Sequence, residues 1–142
     1  MSRYNRINID GKGVSRTALV GAAAITPGSL VKLSGAGAFV AHSTAGKKGD
    51  FIYAMHADAL QGATCDTAVA IGATGVGEIA EAGRELAMLV AATTVLVLDS
   101  PLTSNGAGAL RLAVIGTDEI IAYSQEVFTV PATAQLVRVR IA

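Results

Sequence analysis

With 142 residues, 51% of them hydrophobic and only 15% charged, the chain is long enough for one domain with a substantial core. Its formal net charge of zero excludes a strong field toward nucleic acid or an anionic membrane, and a single cysteine, Cys65, excludes an intramolecular disulfide. A chain this apolar and this poor in charge is expected to cover part of its surface with partners.

The polar, net basic opening SRYNRINIDGKGVSR reads as an extended N-terminal arm, residues 1–16, ahead of a β domain, residues 17–142. Such an arm is expected to order only on contact with a partner, so that deleting residues 2–14 leaves the fold intact. Arg3, Arg6, Lys12 and Arg16 precede the apolar TALVGAAAI, but that run is short and Asp10 interrupts the basic stretch, so no cleaved signal peptide is expected.

Further along, Pro27-Gly28 punctuates the chain, and GAG between LVKLS and AFVAH predicts a short hairpin. GEIAEAGRELAMLVAA (77–92) could be helical, but Gly83 in its middle would cost about 1 kcal/mol, and a hairpin EIAEA–GRE–LAMLV is expected instead. LAMLVAATTVLVL falls short of the ~20 residues of a spanning helix, so no membrane segment is expected. TTVLVLDS is β-branched and apolar on both faces, which predicts a strand buried on both sides. Asn105-Gly106 predicts a second hairpin, since both residues tolerate positive φ. After it Leu110, Leu112 and Val114 alternate with Ala109, Arg111 and Ala113, as in a half-buried strand. In the terminal LVRVRIA, Val137, Val139 and Ile141 should face the core, and Arg138 and Arg140 the other side.

Two stretches repeat. Gly35-Ala36-Gly37-Ala38 falls on Gly106-Ala107-Gly108-Ala109 at an offset of 71, which also sets Ala18-Leu19-Val20 on Leu89-Val90-Ala91 and Ala24-Ile25 on Val95-Leu96. Dropping one residue sets Gly46 on Gly116 and Tyr53 on Tyr123. The expectation is a mainly β, single-domain barrel or sandwich built from two similar β-units, about 16–60 and 87–130, each burying its apolar face against the other.

No catalytic constellation emerges. Ala41-His42-Ser43-Thr44-Ala45 resembles a nucleophile elbow but lacks the following helix, and Gly46-Lys47 has neither the upstream glycine nor the following hydroxyl of a phosphate loop. His42, His56 and Cys65, even with Asp58 or Asp66, match no compact metal-ligand spacing. GATGVGE lacks the order of a phosphate cradle and reads as a turn. Glu78, Glu81 and Glu85 read as solvated charge. The basic residues have only Tyr4 for base stacking, so nucleic-acid binding is not expected. No enzyme activity, metal or cofactor is expected.

GRELAMLVAATTVLVLDSPLTSNGAGALRLA, GTDEIIAYSQEVFTV and QLVRVRIA together resemble the capsid decoration, or cement, proteins of tailed bacteriophages, over about the last 60 residues. The resemblance implies a mainly β structural protein on the outer surface of an icosahedral virion, made in the bacterial host cytoplasm. Its implied partners are the major capsid protein and further copies of itself, as a trimer or dimer, with no nucleic acid and no membrane. A tail or head-fibre module is the alternative, and a small-ligand-binding or enzymatic domain stands further off. The capsid-contact candidates are Arg3, Tyr4, Arg6, Lys12 and Arg16 on the arm, for pairing with capsid strands, and Arg138 and Arg140, for capsid carboxylates.

Overall fold

A computed structural model describes residues 2–10, 13–58 and 61–142, which leaves Lys12 outside the described residues. The chain is almost entirely β. The first unit holds β2 (Ser15–Leu19), β3 (Leu30–Leu33), β4 (Phe39–Ala41), β5 (Tyr53–Met55) and β6 (Thr74–Ile79), in the spatial order β2-β6-β5-β3-β4. The second holds β7 (Glu85–Val90), β9 (Pro101–Ser104), β10 (Leu110–Leu112), β11 (Ala122–Ser124) and β13 (Gln135–Ile141), in the order β7-β13-β11-β9-β10. These orders are the same order. In both units the first strand lies antiparallel to the last, and the third returns parallel to the end of the first. That return is made by Val20 with Phe39 in the first unit and by Val90 with Leu110 in the second, where it closes a five-stranded barrel.

Smaller features repeat as well. Ile25 bridges Val69 where β8 (Val95–Leu96) pairs with β12 (Phe128–Thr129). Backbone with positive φ recurs at Ala22 and Thr93, Gly28 and Asp99, Gly37 and Gly108, and Gly46 and Gly116. Such positions are rare for residues with a Cβ, so their recurrence marks the same path taken twice.

Pairing registers fix which residues are equivalent, and they correct two sequence alignments by one residue. Val20 matches Val90, not Ala91. Tyr53, opposite Val31, matches Ala122, opposite Leu102, rather than Tyr123. One step along a strand reverses the face: Tyr53 is buried at 5% exposure, whereas Tyr123 is half-buried.

Each unit has its own core. Val20, Ile25, Val31, Phe39, Tyr53, Met55 and Val69 fill the first, with Phe39 edge-on to Tyr53 at 5.4 Å between ring centres. The second centres on Leu86, Met88, Leu102, Leu110, Val137 and Val139, and it extends to Leu30 and Ala54 from the opposite faces of β3 and β5. His42, fully buried, ties the units together: its Nε2–H donates to Lys48 O (2.7 Å), and Nδ1 lies 2.8 Å from Ser104 Oγ.

Four local expectations are corrected. The segment around Gly83 is two strands, but not a hairpin, because β6 pairs within the first unit and β7 within the second. TTVLVLDS contributes only Val95–Leu96 as strand; Val97–Ser100 turns the chain, with Ser100 N–H on Val97 O (3.2 Å), leaving Val97 and Leu98 57% and 62% exposed. Leu112 and Val114 are exposed although Leu110 is buried, because β10 ends at Leu112. Asn105 has no positive φ; its side-chain Oδ1 instead accepts the N–H groups of Ala107 and Ala109, which shapes a five-residue loop.

The N-terminal arm is integral to the fold rather than held in reserve for a partner. β1 (Asn8–Asp10) adds antiparallel to β7, Ala87 N–H donates to Ile7 O (2.7 Å), and the Ile7 side chain is fully buried in the second core. Deleting residues 2–14 would uncover that core, so the deletion is expected to destabilise the fold rather than leave it intact. Among the described residues, no helix is long and apolar enough to cross a membrane.

Candidate interaction surface

The inward turn of Val137, Val139 and Ile141 along β13 forces Arg138 and Arg140 outward, as the two-residue period predicts. Both then meet Glu85, which stands opposite Arg140 in the β7–β13 register: Arg138 Nη2 donates at 2.5 Å and Arg140 Nη2 at 3.1 Å. The bond to Glu85 raises the Arg138 pKa above its ordinary value.

A second carboxylate organises the arm. Glu126 accepts both Nη atoms of Arg3 (2.5 and 3.0 Å), the Tyr4 hydroxyl (3.0 Å) and the Arg138 N–H (3.2 Å). Burial pushes the Glu126 pKa up, but the bonds from Arg3, Arg138 and Tyr4 outweigh it, so the carboxyl titrates below its ordinary range. Arg3 also lies over the Phe128 ring, 3.6 Å from its centre. Burial first, then the bond to Glu126, raises the Tyr4 pKa.

Arg3, Tyr4, Arg138 and Arg140 thus share one face, each bound to a carboxylate of the same chain. Arg6 stands apart, donating from Nε to Asn8 O (2.9 Å), and Arg16 is exposed on β2. To contact another protein's acids, the first group would have to exchange partners.

Glu78 and Glu85 are buried at 3% and 6% exposure, against the reading of both as solvated charge; Glu81 is exposed as expected. Glu78 binds the buried Arg84 and lies 2.6 Å from His56 Nε2. The carboxylates went inward because each found a guanidinium, which offsets the cost of leaving water. Among the described residues no three of His, Cys, Asp and Glu cluster as a metal site. Cys65 is buried, which raises its thiol pKa.

One set of exposed residues is aliphatic. Val97, Leu98, Leu112, Val114, Ile115 and Val127 are 42–72% exposed. Backbone bonds hold their segments side by side: Asp99 N–H to Ser124 O (2.8 Å), Ala113 N–H to Pro101 O (2.9 Å), and the β8–β12 register, which sets Val127 beside Val97. The result is an apolar rim at one end of the second unit's barrel. Sequence reasoning missed it by treating Val97 and Leu98 as a buried strand; the turn-forming residues Asp99-Ser100-Pro101 directly after them were the available signal.

No protein-family model matches the chain, and no curated protein matches it.

Proposed function

We propose that this chain is a non-enzymatic structural protein of a tailed-phage virion, bound to the outside of the icosahedral shell and bridging neighbouring capsid subunits. The observation that carries the reading is the apolar rim of Val97, Leu98, Leu112, Val114, Ile115 and Val127, displayed on hydrogen-bonded turns of a rigid β scaffold. Exposed aliphatic residues gathered at one end of a small domain mark a surface for another protein. The buried carboxylates Glu78 and Glu85 are tied up in structural pairs with arginines, which suits a scaffold better than a reaction centre. Repeated over a symmetric shell, modest contacts add up through multivalency. Mass spectrometry of purified particles tests this: about one copy per shell subunit, or a simple fraction of that, is expected. A few copies per particle would place the chain in a tail or fibre, and its absence would overturn the virion reading.

A further inference from the structure

The turn that seats the first unit on the second has a twin that faces solvent. In the first unit Ser29 N–H donates to Thr26 O (3.1 Å), Gly28 N–H to Met55 O (2.8 Å) and Met55 N–H to Ser29 O (3.0 Å). In the second, Ser100 N–H donates to Val97 O (3.2 Å), Asp99 N–H to Ser124 O (2.8 Å) and Ser124 N–H to Ser100 O (2.9 Å). Gly28 and Asp99, at the matching place, both have positive φ. Only the surroundings differ. Gly28 O accepts Leu89 N–H (2.9 Å), which seats its turn on the β7 edge against Ala87 and Leu136. Asp99 O has no partner among the described residues, and Val97 and Leu98 beside it stand in solvent.

The receiving edge is duplicated too. By strand register Leu19 in β2 holds the place of Leu89 in β7. Alternation along β2 points Leu19 N–H to the same side as Gly21 N–H, which reaches Phe39 O (2.9 Å). Val20 N–H takes the opposite side, to Ala73 O (2.9 Å), so Leu19 N–H points away from β6; no loop carbonyl among the described residues accepts it, and the Leu19 side chain is 56% exposed. Where Ala87 and Leu136 flank Gly28 in the second unit, the first unit has Thr17 and Thr74, and these line a groove of about 540 Å³ with Gly75 and Val76. A Cβ on Gly28 would strike Leu136. Asp99 carries that Cβ, and the shorter Thr74 leaves room for it.

We propose that copies of this chain associate head to tail: the Val97–Ser100 turn of one copy enters the β2 groove of the next, where Asp99 O accepts Leu19 N–H and Val97 and Leu98 are covered. This goes beyond shell binding and does not rest on it: Val97 and Leu98 go to the next copy, and Leu112, Val114, Ile115 and Val127 stay free for the shell. The contact joins two different surfaces, so a growing row of copies always keeps one turn free at one end and one groove free at the other until a ring closes. Pro101, which has no N–H, stands where Leu30 donates to Gly108 O (2.8 Å). That second seam is therefore not repeated between copies, and association is weaker than the bond between units within a chain.

Sedimentation of the full chain over a concentration series reads this directly. The wild type should grow beyond its 14.3 kDa monomer as concentration rises. Leu98→Asp and Leu19→Asp, both at exposed positions, should each remain monomeric. Mixed in equal amounts they should form one dimer and nothing larger, because each supplies the half the other lacks. A wild type that stays monomeric up to its solubility limit overturns the proposal. So do single variants that assemble like the wild type, or a mixture that stays monomeric.

Discussion

Replacing Ile7 with alanine asks whether the N-terminal arm belongs to the fold. Ile7 is fully buried in the second core, and its carbonyl accepts Ala87 N–H beside β1. Truncation removes the apolar burial of an isoleucine side chain, about 1.5–3 kcal/mol for the whole group, and adds a cavity term because the barrel wall formed by β7 cannot collapse inward. The expected loss is about 3 kcal/mol, a large share of the roughly 5–15 kcal/mol that holds a domain together. In urea, with a slope of about 2 kcal/mol/M, the unfolding midpoint should fall by about 1.5 M while the slope stays the same. Far-UV circular dichroism across a urea series measures it. A loss under about 0.5 kcal/mol, the range of an ordinary surface change, would refute the reasoning and restore the arm as a frayed terminus.

Glu126 should make arm docking sensitive to acid. Its carboxyl titrates below the ordinary value of 4.5, so its stabilising contribution is complete above that pH and is lost as pH falls through the depressed value; exchange protection of the Ala87 amide should fall there in the wild type and stay flat in Glu126→Gln, which gives up roughly 1–2 kcal/mol at neutral pH. Glu78→Ala leaves Arg84 buried without its carboxylate and should cost about 3–5 kcal/mol by denaturant titration, whereas Glu78→Leu with Arg84→Met should recover most of the loss. Gly77→Ala places a Cβ 2.7 Å from Phe39 Cζ and should cost about 1–3 kcal/mol; adding Phe39→Leu should relieve it, as calorimetry of the single and double variants will read.

Much of the fold could be read from local pattern. The alternation Val137, Arg138, Val139, Arg140, Ile141 survives in full, because β13 pairs along both edges and the period of two has nowhere to slip. The GAGA turns were legible because left-handed backbone at Gly37 and Gly108 needs glycine. What local pattern could not supply was partner choice. Nothing around Gly83 says that β6 and β7 belong to different units, nor that Ile7 crosses to the second core, since both depend on contacts far apart in sequence. The charged sites were hidden for a related reason: Glu78 reads as solvent-facing until Arg84 and His56 are brought beside it. Val97 and Leu98 failed in the other direction, because an apolar β-branched run that ends at a turn looks the same in sequence whether a neighbour covers it or not.

The repeat itself was faint in sequence because its equivalent positions conserve volume and contact rather than residue type. Phe39 faces Gly77 in the first unit; at the matching positions of the second, Leu110 and Val139 divide the same space more evenly. Gly28 sits against Leu136, while Asp99 matches Gly28 and Thr74 matches Leu136. Phe39 is answered by Gly77 and Leu136 by Gly28, so it is the space shared by a contact, not the residue type, that is alike in the two units. The same logic separates the two edges. β7, holding the arm and the Gly28 turn, is buried along its length, and β2, its counterpart, is mostly exposed. Two units of one design therefore differ in what covers them, and an exposed turn with an exposed edge is what remains when such a design is stacked only once.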